Sequence, residues 1–139
     1  MKRAFAPLLA ALMLATAPMA VSAADEKVVY HINDSAVARA AMNNVNNHLN
    51  ASPDAKIVVV THGKGIDFLL NDAKDDKGDY MGQIAGLSAK GVKFNVCANT
   101  LKARKLDNNA VVQEATVVPS GVAEVAKLQA KEGYVYMKP

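Results

Sequence analysis

The sequence predicts an α/β protein, a three-layer α/β/α sandwich around a mainly parallel sheet of about five strands. Short runs of β-branched and aromatic residues alternate along the chain with longer segments of helical periodicity. The segments between these runs are long enough for helical crossovers, which parallel strands require. In such a sheet the carboxyl ends of the strands share one edge, where ligands and reactive groups lie.

The first 24 residues are predicted to be a secretory signal peptide outside this fold. Lys2 and Arg3 supply a basic start, residues 8–19 form an apolar core, and small residues suited to cleavage follow at 21–24. The mature protein is then residues 25–139, enough for one domain. We expect it to be periplasmic or secreted.

The charge balance and the cysteine count exclude several classes of function. Without Lys2 and Arg3, 14 of the 16 basic residues remain against 13 acidic ones, so the mature chain carries a net charge near +1. Neither nucleic acid nor, after leader removal, a membrane is expected as a partner. The single cysteine, Cys97, excludes an internal disulfide and a zinc site built from several cysteines. Nothing in the sequence calls for a cofactor or a resident metal.

The first half of the mature chain is predicted to hold two strands and the helix between them. Residues 27–33 and 56–62 are rich in β-branched residues, and the second run is apolar enough for a buried parallel strand. Residues 35–50 are predicted to form a helix after a turn with ready N-caps. Its buried stripe should consist of Val37, Ala41, Val45 and Leu49.

The middle of the chain begins with the tight turn Gly63-Lys64-Gly65 and a helical turn at residues 66–70. Residues 71–79 interleave acids with lysines, and their spacing does not match a calcium-binding loop. We therefore expect a solvated loop of mixed charge there. Residues 80–90 are the next predicted helix, with Met81, Ile84 and Leu87 on its apolar side.

The last third of the chain is predicted to add a short strand, a helix and a final strand. Residues 116–119 and 134–137 have strand character, and Ser120-Gly121 opens the helix of residues 122–131. Val122, Val125, Ala126 and Leu128 mark one face of that helix.

Cys97 lies where a strand gives way to a helix. Val92, Phe94 and Val96 alternate with polar residues before it, and Asn99 or Thr100 is a suitable helix N-cap after it. A thiol at this point faces unpaired backbone N–H groups, which favour thiolate, so we expect it to be partly accessible with a lowered pKa. The alternative is a small buried apolar residue that closes the strand.

Four other side chains are candidates for a role in the chemistry of this thiol. His31 and His62 end the first and second predicted strands, so a Cys–His nucleophilic pair is compatible with the pattern. Hydrogen-bonded structural histidines are the alternative, and no spacing demands a soft metal bound by the three residues. Lys102 and Arg104 follow the thiol within two helical turns, where positive charge would favour thiolate. Their alternative place is an exposed helix face.

Residues 96–104, Val-Cys-Ala-Asn-Thr-Leu-Lys-Ala-Arg, resemble the strand-to-helix segment of the DsrE/DsrF-like family, in the branch with a Cys-x-Asn-Thr-Leu element. Three further pieces are similar to the same branch: His-Gly-x-Gly at 62–65, Val-Pro-Ser-Gly-Val at 118–122, and the ending from Leu-Gln at 128–129 to Gly-Tyr-x-Tyr-x-Lys-Pro at 133–139. Together the pieces extend over most of the mature chain.

The resemblance implies a flavodoxin-like α/β/α domain that assembles as a homo-oligomer, commonly a trimer or hexamer. It also implies sulfur handling, in which a cysteine accepts sulfane sulfur as a persulfide and passes it on. Cys97 is the matching acceptor, with Asn99, Thr100, His62, His31, Lys102 and Arg104 as candidate binding residues. A sulfur donor or acceptor protein would be the partner. The alternative is a noncatalytic oligomeric module that binds a small polar ligand, with Cys97 structural.

Overall fold

The computed structural model describes residues 25–139, so the predicted signal peptide lies outside the described residues. In chain order the elements are β1 (Lys27–Asp34), α1 (Ala38–Ala51), β2 (Lys56–Lys64), β3 (Lys74–Asp75), β4 (Gly78–Asp79), α2 (Met81–Ala89), β5 (Lys93–Cys97), α3 (Ala98–Ala103), β6 (Ala115–Val118), α4 (Gly121–Glu132) and β7 (Val135–Met137). Short 3-10 turns occur at Ser35–Val37, Asp67–Leu69 and Asn108–Ala110.

The main sheet has five strands in the order β6-β5-β2-β1-β7, and every neighbouring pair is parallel. This confirms the predicted α/β class. The larger core lies between the sheet and residues of α1, α2 and α3. A smaller core on the opposite face packs Leu128 of α4 against Val29, Val58 and Val60. The sheet is therefore the middle of three layers.

The chain changes direction across the sheet after β6. It moves outward from β1 through β2 and β5 to β6, and α4 then carries it back to β7 on the free side of β1. The chain leaves β5 into α3, whose Leu101 joins the larger core, whereas it leaves β6 into α4 on the other face. The connections that leave the neighbouring strands β5 and β6 therefore diverge to opposite faces of the sheet, an arrangement beside which ligands bind in open α/β sheets.

The buried stripe of α1 differs from the prediction at its start. Val37 is 37% exposed, while Ala38 and Met42 are buried together with Ala41, Val45 and Leu49. The cause is the 3-10 turn at Ser35–Val37, which Asp34 caps by accepting the Ala36 N–H. A 3-10 turn is wound more tightly than an α-helix, so it displaces Val37 from the inward face.

Residues 71–79, predicted as a solvated loop, contain the two-stranded hairpin of β3 and β4. Arg39 of α1 ties this hairpin to the domain. Its Nε donates to Oδ2 of Asp75 at 2.9 Å and its Nη2 to Oδ1 at 2.8 Å, while the guanidinium lies 4.2 Å from the centre of the Tyr80 ring. Hydrogen bonding from Arg39 holds the pKa of Asp75 far below its usual range.

Three apolar residues predicted on helix faces are exposed: Met81 of α2, and Val122 and Ala126 of α4. Met81 and Val122 lie in the first turn of their helices, and Ala126 follows Val122 by four residues, so these two share one side of α4. Ile84, Leu87 and Leu128, farther along the same helices, are buried as predicted. The buried face of α4 is therefore narrower than predicted.

The third histidine of the chain, His48, lies near the end of α1, away from the carboxyl edge of the sheet. Its Nδ1 is 3.0 Å from the Tyr30 hydroxyl, and its Nε2 is 2.7 Å from Oε1 of Glu26. These contacts anchor α1 to the start of β1.

None of the helices within residues 25–139 has the length and apolar character needed to cross a bilayer.

Candidate functional site

Cys97 is the last residue of β5 and the N-cap of α3, which begins at Ala98. The helix therefore starts earlier than the predicted N-cap at Asn99 or Thr100. Cys97 pairs with Val118 of β6, and its side chain lies beside Gly121, at the start of α4. The side chain is 5% exposed, and the expected accessibility of the thiol is wrong for the single chain.

Neighbouring N–H and O–H groups lower the pKa of the Cys97 thiol. Burial by itself raises the pKa of this thiol, but the N–H of Gly121, the hydroxyl and N–H of Thr100, and the N–H of Asn99 lower it. These four groups prevail, so the pKa of Cys97 lies below that of an ordinary cysteine. The site therefore stabilises a thiolate with neutral donors.

Gly121 is needed because α4 begins in close contact with β2 and β5. A Cβ at this position would lie 2.9 Å from the Thr61 carbonyl oxygen and 3.2 Å from Cβ of both Cys97 and His62. Only glycine lets the first N–H of α4 come this near the thiol. Sequence analysis missed this role. The Val-Pro-Ser-Gly-Val segment was the available signal, but nothing in the sequence connected it with Cys97.

Thr100 has contacts on both sides of its hydroxyl group. Its Oγ1 accepts the N–H of Gly63 at 3.0 Å, which leaves its own proton free to be donated to Cys97. The hydroxyl thus links the end of β2 to the thiol. Of the candidate residues around Cys97, Asn99 and Thr100 are the ones whose groups lower the pKa of the thiol.

His31 and His62 meet because β1 and β2 are neighbours. Their Nε2 atoms are 2.6 Å apart, and Nδ1 of His31 is 2.8 Å from the hydroxyl of Tyr136. Burial, followed by the charges of His62 and Lys138, lowers the pKa of His31. Tyr136 belongs to β7 and was not singled out from the sequence. Its contact depends on β7 pairing with β1.

The histidine pair and the thiol lie on the same face of the sheet. Both His62 and Cys97 reach the space beside Gly121, but no hydrogen bond joins the His62 ring to the sulfur in the described chain. Within residues 25–139, no group of three or more His, Cys, Asp or Glu side chains is arranged to hold a metal ion. The structure thus brings His31 and His62 together and leaves Cys97 beside them.

A cleft of about 810 Å³ opens next to the residues that hydrogen-bond the thiol. Its walls come from the end of β2, the turn after it, and α3, and consist of Gly63, Lys64, Asp67, Asn99, Thr100, Ala103 and Arg104. Arg104 forms an ion pair with Asp67 across this cleft. Lys102 is exposed and does not line it, and neither cation is among the groups that lower the pKa of Cys97.

The turn after His62 is held tightly against β1. The N–H of Gly65 donates to the His62 carbonyl at 2.9 Å, and a Cβ on Gly65 would lie 2.0 Å from the carbonyl oxygen of Ile32. No side chain fits in that contact. The His-Gly-x-Gly sequence therefore fixes the backbone path after His62, where Gly63 and Lys64 line the cleft.

The model of the DsrE/DsrF-like family matches residues 10–139. The chain belongs to the DsrE/DsrF-like family. Its fold is similar to that of MTH1491 from Methanobacterium thermoautotrophicum, a protein described as of unknown function, with a TM-score of 0.75 and 31% identity over 83% of this chain and 100% of that one.

A second similar structure is the ychN protein from E. coli. The TM-score is 0.68 with 12% identity, over 82% of this chain and 99% of that one, and this likeness concerns the fold alone. No curated protein matches the chain. Family membership and fold thus agree with the resemblance drawn from the sequence motifs.

Proposed function

We propose that this DsrE/DsrF-like protein accepts sulfane sulfur on Cys97 as a persulfide and passes it to a thiol of a partner protein. The family is associated with sulfur relay, and Cys97 is the only thiol of the chain. The observation that carries the proposal is the set of four donors that lowers the pKa of a buried cysteine. A merely structural cysteine in an apolar strand end would have no need of them.

In the accepting step, the Cys97 thiolate attacks the outer sulfur of a donor persulfide, R–S–SH. A bond forms between Sγ and that sulfur, the donor's S–S bond breaks, and R–S⁻ leaves and takes a proton from water. In the second step an acceptor thiolate attacks the outer sulfur of the Cys97 persulfide. The S–S bond to Cys97 breaks, and the Cys97 thiolate is restored.

A low thiol pKa helps in both steps. It raises the thiolate fraction for the attack, and it makes Cys97 a better leaving group when the sulfur is passed on. The groups of Gly121 and Thr100 that lower the thiol pKa stabilise the thiolate, which attacks in the first step and is restored in the second. Neutral donors suit a cysteine that alternates between thiolate and persulfide.

The cleft beside Asn99 and Thr100 is the proposed approach for the sulfur donor. Two of its lining residues, Asn99 and Thr100, carry groups that lower the pKa of Cys97, and its rim carries both Lys64 and the Arg104–Asp67 pair. A donor in the cleft would lie against the same groups that stabilise the thiolate. Its arrival would have to widen the access to Sγ, because the thiol is buried in the free chain.

The test is to treat the leaderless protein, residues 25–139, with inorganic polysulfide and to measure its intact mass. We expect the addition of one sulfur atom in the parent, none in Cys97→Ser, and loss of that sulfur on addition of a thiol acceptor. Labelling that occurs only after denaturation, or that persists in Cys97→Ser, would contradict the proposal.

The alternative function is the binding of a small polar ligand without chemistry, and the cleft is the observation that favours it. Its volume of about 810 Å³ and its paired charges suit a small molecule. In that case Cys97 is part of the wall. A ligand that protects the native protein against unfolding equally well in the parent and in Cys97→Ser would support this function over sulfur transfer.

We also propose that the protein is a homo-oligomer, a trimer or a hexamer. Val135, Tyr136 and Met137 are exposed along the edge strand β7, and Val122 is exposed on α4. An apolar edge strand left open to water favours association with another chain. Light scattering on residues 25–139 at micromolar concentration should give a multiple of the chain mass, and Val135→Lys with Met137→Lys should reduce it. A single-chain mass in the parent would overturn this.

Export is the remaining part of the proposal, and the sequence of residues 1–24 supports it. Expression of the full chain in a Gram-negative host should yield a shortened protein in the periplasmic fraction. Replacing Leu8 to Leu14 by polar residues should keep the chain at full length in the cytoplasm. Retention of the unaltered leader in the cytoplasmic fraction would contradict export.

A further inference from the structure

Two imidazole nitrogens face each other at the carboxyl edge of the sheet. The Nε2 atoms of His31 and His62 are 2.6 Å apart, while the ring centres are 4.8 Å apart. The two nitrogens therefore share a hydrogen bond, in which one Nε2 donates its proton to the lone pair of the other. The side chains come from neighbouring parallel strands, so their Cα atoms are held at fixed positions.

The remaining contact of the pair orients the His31 ring, and the two Nε2 atoms are hydrogen-bonded to each other. The Tyr136 hydroxyl contacts Nδ1 of His31 at 2.8 Å, which fixes the direction of its Nε2. A hydroxyl or carbonyl that contacts the outer nitrogen is the usual support of a metal-binding histidine. Neither histidine hydrogen-bonds the Cys97 sulfur, so the proposed sulfur transfer does not use the pair.

We propose that His31 and His62 form a binding site for one Cu(I) ion, held between the two Nε2 atoms with Tyr136 as the supporting group. This site is separate from the proposed sulfur transfer, and its test does not depend on that proposal.

The number and kind of ligands select the ion. Mg²⁺ and Ca²⁺ require several oxygen ligands, and Zn²⁺ sites normally use three or four protein ligands. In the part of the chain that the structure describes, no third His, Cys, Asp or Glu completes such a set with the two histidines. Cu(I) accepts two imidazole nitrogens in an approximately linear arrangement, and imidazole is a good ligand for copper.

Binding requires two changes: the two Nε2 atoms must move apart, and the proton of each ring must lie on Nδ1. A first-row ion needs about 2.0–2.1 Å to each nitrogen, so the Nε2 atoms must separate to roughly 4 Å. Side-chain rotation of the two partly exposed rings supplies this movement. Each neutral ring keeps one proton, which lies on Nδ1 when copper occupies Nε2. His31 then donates its Nδ1–H to the Tyr136 oxygen, and no proton is gained or lost.

The experiment measures Cu(I) binding in the Cys97→Ser protein, which removes the thiol as a competing copper ligand. The untagged chain of residues 25–139 is titrated without oxygen against a chromophoric Cu(I) chelator. We expect one equivalent of Cu(I), with loss of binding in both His31→Gln and His62→Gln. Tyr136→Phe should weaken binding by about tenfold, as expected of a supporting group. His48→Gln is the matched control, and its copper binding should equal that of Cys97→Ser.

A second measurement needs no histidine substitution and so does not depend on the folding of a variant. The ¹⁵N spectrum of the imidazole groups in Cys97→Ser is recorded before and after one equivalent of Cu(I), which is diamagnetic. Shifts of Nε2 in His31 and His62, with His48 unchanged, would support the site. Unchanged Nε2 resonances, or copper uptake unaffected by His31→Gln and His62→Gln, would overturn it and leave the pair as a hydrogen bond.

Discussion

Thr100 connects two parts of the site through one hydroxyl group, which accepts from Gly63 and donates to Cys97. We predict that Thr100→Val raises the pKa of the thiol, because the shape of the side chain is kept while the donor is lost. Loss of a hydrogen bond of about 1 kcal/mol should slow alkylation of Cys97 at neutral pH about fivefold. The measurement is the alkylation rate of the native protein against pH.

Thr100→Ser is the matched control for this prediction, since it retains the hydroxyl. Its alkylation profile should stay close to that of the parent. If Thr100→Val and Thr100→Ser give the same profile, the hydroxyl does not stabilise the thiolate, and the backbone N–H groups alone account for the low pKa.

The double variant Lys102→Ala, Arg104→Ala tests the cationic helpers expected from the sequence. The structure places neutral donors at the sulfur and pairs Arg104 with Asp67, so we now predict an alkylation profile like that of the parent. A clear rise in the thiol pKa of the double variant would restore the electrostatic role of these residues.

Residue types and local spacing were enough to place Cys97, Asn99 and Thr100 close together, because all three belong to one strand-to-helix junction. They were not enough for Gly121 or Tyr136, which approach the site from elements distant in the chain. Gly121 reaches Cys97 because α4 starts at the end of β6, beside β5. Tyr136 reaches His31 because β7 pairs with β1. Strand order, which local pattern does not contain, decides both contacts.

Among the secondary-structure elements, α4 matters most for the thiol, because its first residue, Gly121, lies beside Cys97. We predict that Gly121→Ala destabilises the protein by about 1–3 kcal/mol, the usual cost of forcing atoms into a packed region. The new Cβ must push α4 away from Thr61 and Cys97, which withdraws the Gly121 N–H from the sulfur. The pKa of Cys97 should therefore rise in the same variant, as measured by alkylation against pH.

Ser120→Ala separates these two effects. Ser120 is the N-cap of α4, and its Oγ accepts the N–H of Ala123 at 3.4 Å. Its loss should cost about 1 kcal/mol of stability and leave the alkylation profile of Cys97 unchanged. If Ser120→Ala raised the thiol pKa as much as Gly121→Ala, general loosening of α4 would explain both results.

Helix and strand positions followed closely from hydrophobic periodicity, whereas the phase at the start of α1 did not. Val37 was assigned to the buried stripe of α1 and is exposed, because the chain makes a 3-10 turn before the α-helix begins. The hairpin of β3 and β4 was also missed. Its strands have two residues each, too few for an alternating pattern, and Arg39 holds it in place from a distant helix.

For the molecule as a whole, the Arg39–Asp75 pair predicts a loss of stability in acid. The pKa of Asp75 is lowered in the folded state, mainly by its hydrogen bond from Arg39. Its contribution to the free energy of unfolding is therefore present above the unfolded value of about 3.9 and is lost as the pH falls below it. Urea unfolding at pH 7 and at about pH 3 should show a smaller decrease in Asp75→Asn than in the parent.

Asp76→Asn is the control for this comparison, because Asp76 is the exposed neighbour of Asp75 in the same hairpin. It removes the same formal charge without breaking the contact with Arg39. Equal pH dependence in Asp75→Asn and the parent would mean that other carboxylates account for the acid sensitivity.

The path of the chain across the sheet also determines when the pKa of the thiol is lowered. Cys97 is made before α4 and β7, yet one of the groups that lower its pKa belongs to the first residue of α4, and the His31 contact with Tyr136 waits for the last strand. A nascent or unfolded chain therefore carries an ordinary thiol, which is mostly protonated and slow to react. The full set of groups that lowers the pKa of Cys97 is therefore assembled only in the folded domain.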